Sequence, residues 1–213
     1  MIKLLFDGQV NLFIIYLIAI IISLTFHEFG HALVAKIYGD DTPQRMGRLT
    51  LNPVPHIDPM GLLMVAVIGF GYARPVQTNP RNYNSRYAPL WIAAAGPGMN
   101  LLLAFICINL QVGAWFFGID ALLGAGPQKF LQFMAFINLL LMLFNLLPIG
   151  PLDGHYILPY FMQRENAIKY DRWNAQYGHL VFLSLVVLSL MGLPIFTFLL
   201  DVAGYIASYL IIF

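Results

Sequence analysis

The chain alternates long apolar runs with shorter polar segments. Apolar runs cover residues 10–38, 90–112, 129–147 and 178–213, and "MGLP" interrupts the last of them. A helix needs about 20 apolar residues to cross the hydrocarbon core of a bilayer. A Gly-Leu-Pro break can divide the last run into two spans. The pattern therefore predicts an all-α polytopic membrane protein with four to six transmembrane helices, forming one integral-membrane domain over residues 1–213.

The segment between the first two runs has a different pattern. Residues 40–89 are rich in Pro, Gly, Asn and Arg. Within them, "RMGRLTLN" alternates in part between apolar and polar residues, which is typical of a strand. "GLLMVAVIGFG" is apolar but too short to cross a bilayer. We therefore expect a small β-hairpin or a re-entrant region between the first two spans.

Composition agrees with a membrane protein. The 213 residues are 60% hydrophobic and 10% charged, whereas an ordinary soluble domain is about 25% charged. The formal net charge of +1 gives no indication of nucleic-acid binding. Cys107 is the single cysteine, so we expect neither an intrachain disulfide nor a cysteine metal cluster.

Lysine and arginine gather in the connectors that follow the first and third runs. Two spans separate these connectors, so both lie on one face of the membrane. Cytoplasmic loops carry an excess of Lys and Arg, which predicts that both connectors, and the C-terminal end of the first helix, are cytoplasmic. The basic residues are Lys36, Arg45, Arg48, Arg74, Arg81 and Arg86 in the first connector and Arg164, Lys169 and Arg172 in the second.

Three ionisable residues stand near the end of the first apolar run, in "IISLTFHEFGHALVAKIYG". His27 and His31 are four positions apart, so on a helix they share a face about 6 Å apart and can bind one metal ion. Glu28 lies beside them, where a general base can take a proton from an activated water. The alternative is a set of pore-facing or interhelical polar residues without metal.

Two histidines leave a catalytic zinc site one protein ligand short. Asp153 is the candidate for the third metal ligand, because it lies in the "LDG" segment, residues 148–162, after a helix that a proline ends. Broken backbone at membrane depth must line a cavity or lie inside the protein. The alternative for Asp153 alone is a turn residue. This ligand type favours one Zn2+ per chain, with cobalt, manganese or iron chemically possible.

These motifs resemble the site-2 protease-like intramembrane zinc metalloproteases, peptidase family M50. The resemblance rests on H-E-x-x-H, "AGPGMN" and "NLLPIGPLDG", and "GRLTLNPVPHIDPMG" is similar to a compact prokaryotic subgroup without a PDZ domain. It implies that His27, His31 and Asp153 are the zinc ligands, that Glu28 is the general base, and that Asn145 holds the substrate backbone or the oxyanion. It also implies a prokaryotic inner membrane as the location.

Four further residues near these motifs are candidates for supporting roles, and two of them allow two interpretations. His56 is either a plug or extra ligand over the site, or a loop histidine with ordinary hydrogen bonds. Asn100 either contacts substrate or cross-links helices. His155 follows the LDG and is a possible contact of the ligand residues. Gly96 and its neighbours permit close helix packing.

The predicted function is intramembrane zinc metalloendopeptidase, acting on peptide bonds in or near transmembrane segments of membrane proteins within the lipid bilayer. A helical substrate must unwind before attack, because its carbonyls are bonded within the helix. The alternatives are a non-enzymatic metal carrier and a proteolytically silent binder of membrane segments. A carrier would show internal repeats and ionisable residues along a path, and the sequence shows neither. The sequence does not determine the oligomeric state of the protein.

Overall fold

The computed structural model describes residues 1–69, 71–195 and 197–212, and most of them are helical. Four helices of 21 to 30 residues in the described part are long and apolar enough to cross a membrane. The chain is therefore an integral membrane protein. In chain order, the principal helices are α1 (Val10–Ile37), α2 (Pro59–Ile68), α3 (Ala88–Phe117), α4 (Ala125–Asn145), α5 (Arg164–Leu190) and α6 (Thr197–Tyr209).

Helix α3 packs against both α1 and α4, which also contact each other, and α6 packs against α4. Gly30 of α1 faces the backbone of α3, where an added Cβ would lie 2.7 Å from the Ala95 carbonyl oxygen. Small residues at such contacts let helix backbones approach closely. Short helical turns connect the principal helices: Lys3–Phe6, Thr42–Arg45, Pro80–Asn82, Asp120–Leu123, Gly154–Ile157 and Leu158–Phe161.

Exposed aromatic residues mark both ends of α3. Trp91 stands near its start, and Trp115, Phe116 and Phe117 stand at its end. Trp91 and Trp115 are about 36 Å apart along the axis at 1.5 Å per residue. Aromatic rings collect at the two membrane interfaces, and this separation is near the thickness of a bilayer core. Trp91 therefore lies near one interface, at the end of the bundle that also holds the loop before α3.

The predicted β-hairpin before α3 is not confirmed, because the described residues contain no strand. The "GRLTLN" stretch forms turns and bends, and the described loop holds a single isolated antiparallel bridge, between Ile57 and Ala73. Pro53, Pro55 and Pro75 flank these positions and have no N–H to donate to a ladder. "GLLMVAVIGFG" contributes most of α2, a helix of 10 residues, which is about 15 Å long and too short to cross.

The basic connector that follows the LDG segment is helical from Arg164 onward. It continues into the next apolar helix through a π-helical turn at Asn174–Gly178, so that α5 runs unbroken from Arg164 to Leu190. The predicted break at "MGLP" is found, since α5 ends at Leu190 and Gly192 has φ +96°. The charged residues of α5 lie on its exposed first turns. Charged side chains in contact with solvent are compatible with a helix as well as with a loop.

The two basic connectors lie at the same end of the bundle. Tyr160, after the LDG segment, donates its hydroxyl to the Arg86 carbonyl just before α3, at 2.9 Å. The buried Asp40 carboxylate, just after the end of α1, accepts hydrogen bonds from the Asn79 N–H and from the Asn82 side chain. These bonds hold the last part of the first connector beside the end of α1. Burial raises the pKa of Asp40, but hydrogen bonds from Thr42, Asn79 and Asn82 outweigh it and hold the pKa below its usual value.

Candidate metal and proteolytic site

Helix α1 presents two imidazoles to one point. His27 and His31 are one turn apart, both are buried, and their Nε2 atoms are 3.1 Å apart. The helix is continuous through both residues, so the i, i+4 spacing gives the shared face that the sequence predicted.

Asp153 reaches the same point from the other side. Its Oδ2 atom lies 3.2 Å from His27 Nε2 and 3.4 Å from His31 Nε2. The LDG segment is held in place by α5, because the Gly150 N–H donates to the Asn174 side-chain oxygen at 2.8 Å. Gly154 lets the turn close on the end of α4, where an added Cβ would lie 2.3 Å from the Leu146 carbonyl oxygen.

The outer nitrogens of both rings are engaged as donors. The Nδ1–H of His27 donates to Asn100 Oδ1 at 2.7 Å, and the Nδ1–H of His31 donates to the Ile92 carbonyl at 2.6 Å. A neutral imidazole protonated at Nδ1 offers only a lone pair at Nε2. With both rings neutral, two lone pairs and a carboxylate oxygen face one another. Such a group needs a positive charge between its atoms, either a metal ion or a proton on one Nε2.

The distances fit a tetrahedral metal ion. Ligand atoms about 2.0–2.1 Å from zinc are about 3.3 Å from one another in a tetrahedron, close to the separations of 3.1, 3.2 and 3.4 Å in this cluster. The buried Oδ2 of Asp153 has no hydrogen-bond partner. Gly96 closes the site, because a Cβ there would lie 2.3 Å from His31 Nε2 and 2.6 Å from His27 Cε1. The donor set fits zinc.

A network of hydrogen bonds between buried polar side chains begins at His27 Nδ1. Asn100 donates to the Ser23 carbonyl and to Asn138 Oδ1, at 3.2 and 2.7 Å, and Asn138 donates to Ser23 Oγ at 2.8 Å. Asn100 and Asn138 are fully buried, and the hydrogen-bonding groups of Asn100 all have protein partners. The structure thus favours the helix cross-link for Asn100 over substrate contact.

Sequence reasoning missed Asn138, and one signal was available for it. An amide in the middle of the apolar run at 129–147 is costly in lipid, so it must have a polar partner inside the bundle. Asn138 lies on α4 and bonds Asn100 of α3 and Ser23 of α1. It therefore links all three helices that surround the site.

We expect Asn100→Ala to weaken metal binding about 10- to 100-fold. The substitution removes the acceptor that orients the His27 ring, and loss of such a partner has this typical cost. Competition with a zinc chelator measures it on the purified protein. Asn109→Ala is the matched control, since Asn109 lies on the same helix and bonds Leu210 at the far end. Equal zinc affinity in both variants would contradict the orienting role.

Glu28 lies beside the cluster with one carboxylate oxygen engaged. Its Oε2 accepts the Val76 N–H at 3.0 Å and stands 3.8 Å from Nη2 of the buried Arg48. In the described part of the chain, Oε1 has no hydrogen bond. One oxygen of Glu28 is thus anchored while the other is available.

The remaining predicted site residues lie outside the cluster. His56 is buried and donates from Nε2 to the Thr50 carbonyl at 2.8 Å. Burial lowers the pKa of His56, and its Nδ1 is buried without a hydrogen-bond partner among the described residues, so both interpretations of this histidine stay open. Asn145 donates to the Leu141 carbonyl in its own helix, and His155 Nδ1 donates to the Leu152 carbonyl.

Comparison with known proteins bears on the whole chain. The model of peptidase family M50 matches residues 15–122 and 111–191. "Putative zinc metalloprotease YwhC" of Bacillus subtilis is 42% identical over 173 residues, which cover 80% of this chain and 78% of that protein. The proteins named "Putative zinc metalloprotease Rip2" of Mycolicibacterium smegmatis and Mycobacterium tuberculosis are 32% identical over 153 residues, 70% of this chain and 57% of theirs. No solved structure matches the chain.

A His-Glu-His helix and a converging aspartate inside a bundle of apolar helices define a membrane metallopeptidase. With the family match and the YwhC relative, the chain belongs to peptidase family M50. The predicted family and the predicted function of intramembrane zinc metalloprotease are thereby confirmed, and the metal-carrier alternative is not favoured.

Proposed function

We propose that His27, His31 and Asp153 hold one zinc ion and that Glu28 is the catalytic base of an intramembrane endopeptidase. The observation that carries this proposal is the convergence of two imidazole Nε2 atoms and one carboxylate oxygen within 3.4 Å of one another, beside the Glu28 carboxylate. When bound, zinc supplies a Lewis acid that activates water and polarises the scissile carbonyl.

The proton transfer falls to Glu28. Its Oε1 atom has no hydrogen bond to the described residues, so it can accept the proton of the attacking water and later deliver it to the leaving amine. The hydrogen bond from the Val76 N–H to Oε2 restricts rotation of the carboxylate. It thereby limits the positions that Oε1 can occupy. Asn145 is the proposed partner of the oxyanion. Its amide donates to the Leu141 carbonyl, and it would have to exchange that bond for one to the substrate.

The depth of the site supports membrane-protein substrates. His31 bonds the Ile92 carbonyl, one residue from the interfacial Trp91, so the cluster lies inside the bundle near the end that carries the basic connectors. Water can reach it from that end, and a substrate helix can reach it from the lipid after local unwinding. By the positive-inside rule this end is cytoplasmic. The similar proteins are bacterial, which supports a prokaryotic inner membrane.

The test is cleavage of tagged single-span proteins by the purified, detergent-solubilised chain. Substrates come in pairs, with and without a helix-breaking Pro or Gly near the centre of the span. We expect cutting of the destabilised member, loss of cutting after metal chelation, recovery with added zinc, and about one zinc per chain by elemental analysis. Cleavage that survives complete removal of metal would overturn the proposal.

A further inference from the structure

A cavity of about 300 Å³ lies beside Arg48, whose Nη2 is 3.8 Å from Glu28 Oε2. Among the described residues, two arginines and no acidic residue line it. Its walls are Met46, Arg48, Pro55, Arg74, Pro75 and Gln77, which come from two stretches of the connector between α1 and α3. The protease chemistry described above uses none of these side chains.

Arg48 forms the inner wall of the cavity. It is 5% exposed, and its Nη2 donates to the Arg74 carbonyl and stands 3.8 Å from Glu28 Oε2. Its Nε is buried without a hydrogen-bond partner. A buried guanidinium with an unused donor is costly. Arg48 places its positive charge at the wall of the cavity, where an anionic group would be attracted to it.

Arg74 forms the outer wall and leaves the cavity with excess positive charge. Its side chain is exposed and makes no ion pair within the described residues. Glu28 balances one guanidinium, so the second has no counter-charge. Paired arginines bind carboxylates well, because a guanidinium presents several donors in a fixed plane.

We propose that this cavity is a subsite that binds an aspartate or glutamate side chain of the substrate, close to the scissile bond. The proposal rests on the proteolytic role of Glu28. Because Arg48 is 3.8 Å from Glu28 and an extended peptide advances about 3.3 Å per residue, the acidic residue lies within about two or three positions of the cut. The subsite makes acidic residues a determinant of where the enzyme cleaves.

The test is a series of one cleavable substrate with Glu or Gln at each of three positions before and three after the cut. We expect one position at which Glu lowers KM about 10-fold relative to Gln, with kcat little changed. Arg74→Gln should bring the Glu-to-Gln ratio to about one, and Arg74→Glu should favour Lys at that position. These substitutions keep the Arg74 backbone carbonyl that Arg48 uses. Arg81→Gln, an exposed arginine outside the cavity, should keep the ratio.

Peptide binding separates this inference from the proteolytic role. The Glu28→Gln chain should bind the fluorescent Glu peptide several-fold more tightly than the Gln peptide, and Arg74→Gln added to it should remove the difference. This result would support the subsite even if no substrate were cut. A series without any Glu preference, or with a preference that Arg74→Gln leaves intact, would overturn the subsite while leaving the protease assignment standing.

Discussion

Glu28→Gln is expected to lower kcat for cleavage by about 10³-fold while the chain keeps its zinc. General acid–base catalysis typically contributes about 10²- to 10⁴-fold, and the Glu28 carboxylate is the proposed proton carrier. The amide oxygen of glutamine can still accept the Val76 N–H, so the local structure is retained. Single-turnover cleavage and zinc content, measured on the same preparation, check both parts.

Glu28→Asp serves as the companion variant. It keeps a carboxylate but withdraws it by about one carbon–carbon bond, so we expect activity between those of wild type and Glu28→Gln. If Glu28→Gln cleaves at the wild-type rate with zinc in place, Glu28 is not the base. If it loses zinc, the carboxylate belongs to the metal site instead.

The proposed metal ligands were predictable because their geometry is local or depends on one simple rule. His27 and His31 share a face through helical periodicity alone. Asp153 was a candidate because a proline ends the preceding helix and leaves backbone that must lie inside the protein. The structure brings the three side chains together, with Asp153 Oδ2 3.2 Å from His27 Nε2.

The parts that failed depend on contacts between distant segments. The alternation in "GRLTLN" indicated a strand, but a strand needs a partner, and the prolines around Ile57 and Ala73 restrict pairing to one bridge. The polar segment before residue 178 gave no sign that it would extend α5, since charge pattern alone does not separate a solvated helix from a loop.

The same reason explains the missed site residues. Asn138 acts through Asn100 on another helix, and Arg48 reaches Glu28 across the loop. No spacing in one segment encodes either contact. A polar residue in an apolar run indicates that a partner exists, but only the packing of α1, α3 and α4 identifies which residue it is.

Gly96→Ala is expected to weaken zinc binding strongly and to abolish cleavage. The added methyl group would lie 2.3 Å from His31 Nε2 and 2.6 Å from His27 Cε1, far inside van der Waals contact. Either the imidazole rings turn away or α3 moves. Overpacking of this kind typically lowers the free energy of unfolding by about 1–3 kcal/mol. Because the added methyl group would clash with the nitrogen proposed to bind zinc, we expect a larger effect on zinc affinity than on the stability of the fold. We expect zinc affinity to fall at least 100-fold.

Gly98→Ala is the matched control on the same helix. A Cβ at position 98 meets nothing within 4 Å, and alanine favours helix more than glycine by about 1 kcal/mol. Gly98→Ala should therefore keep its zinc and its activity, with unchanged or higher thermal stability. Elemental analysis, cleavage and a melting curve on both variants decide the matter. Full zinc content in Gly96→Ala would mean that the wall of the site is not where α3 places it, because no conformation of an alanine at 96 leaves room for both imidazoles as they stand.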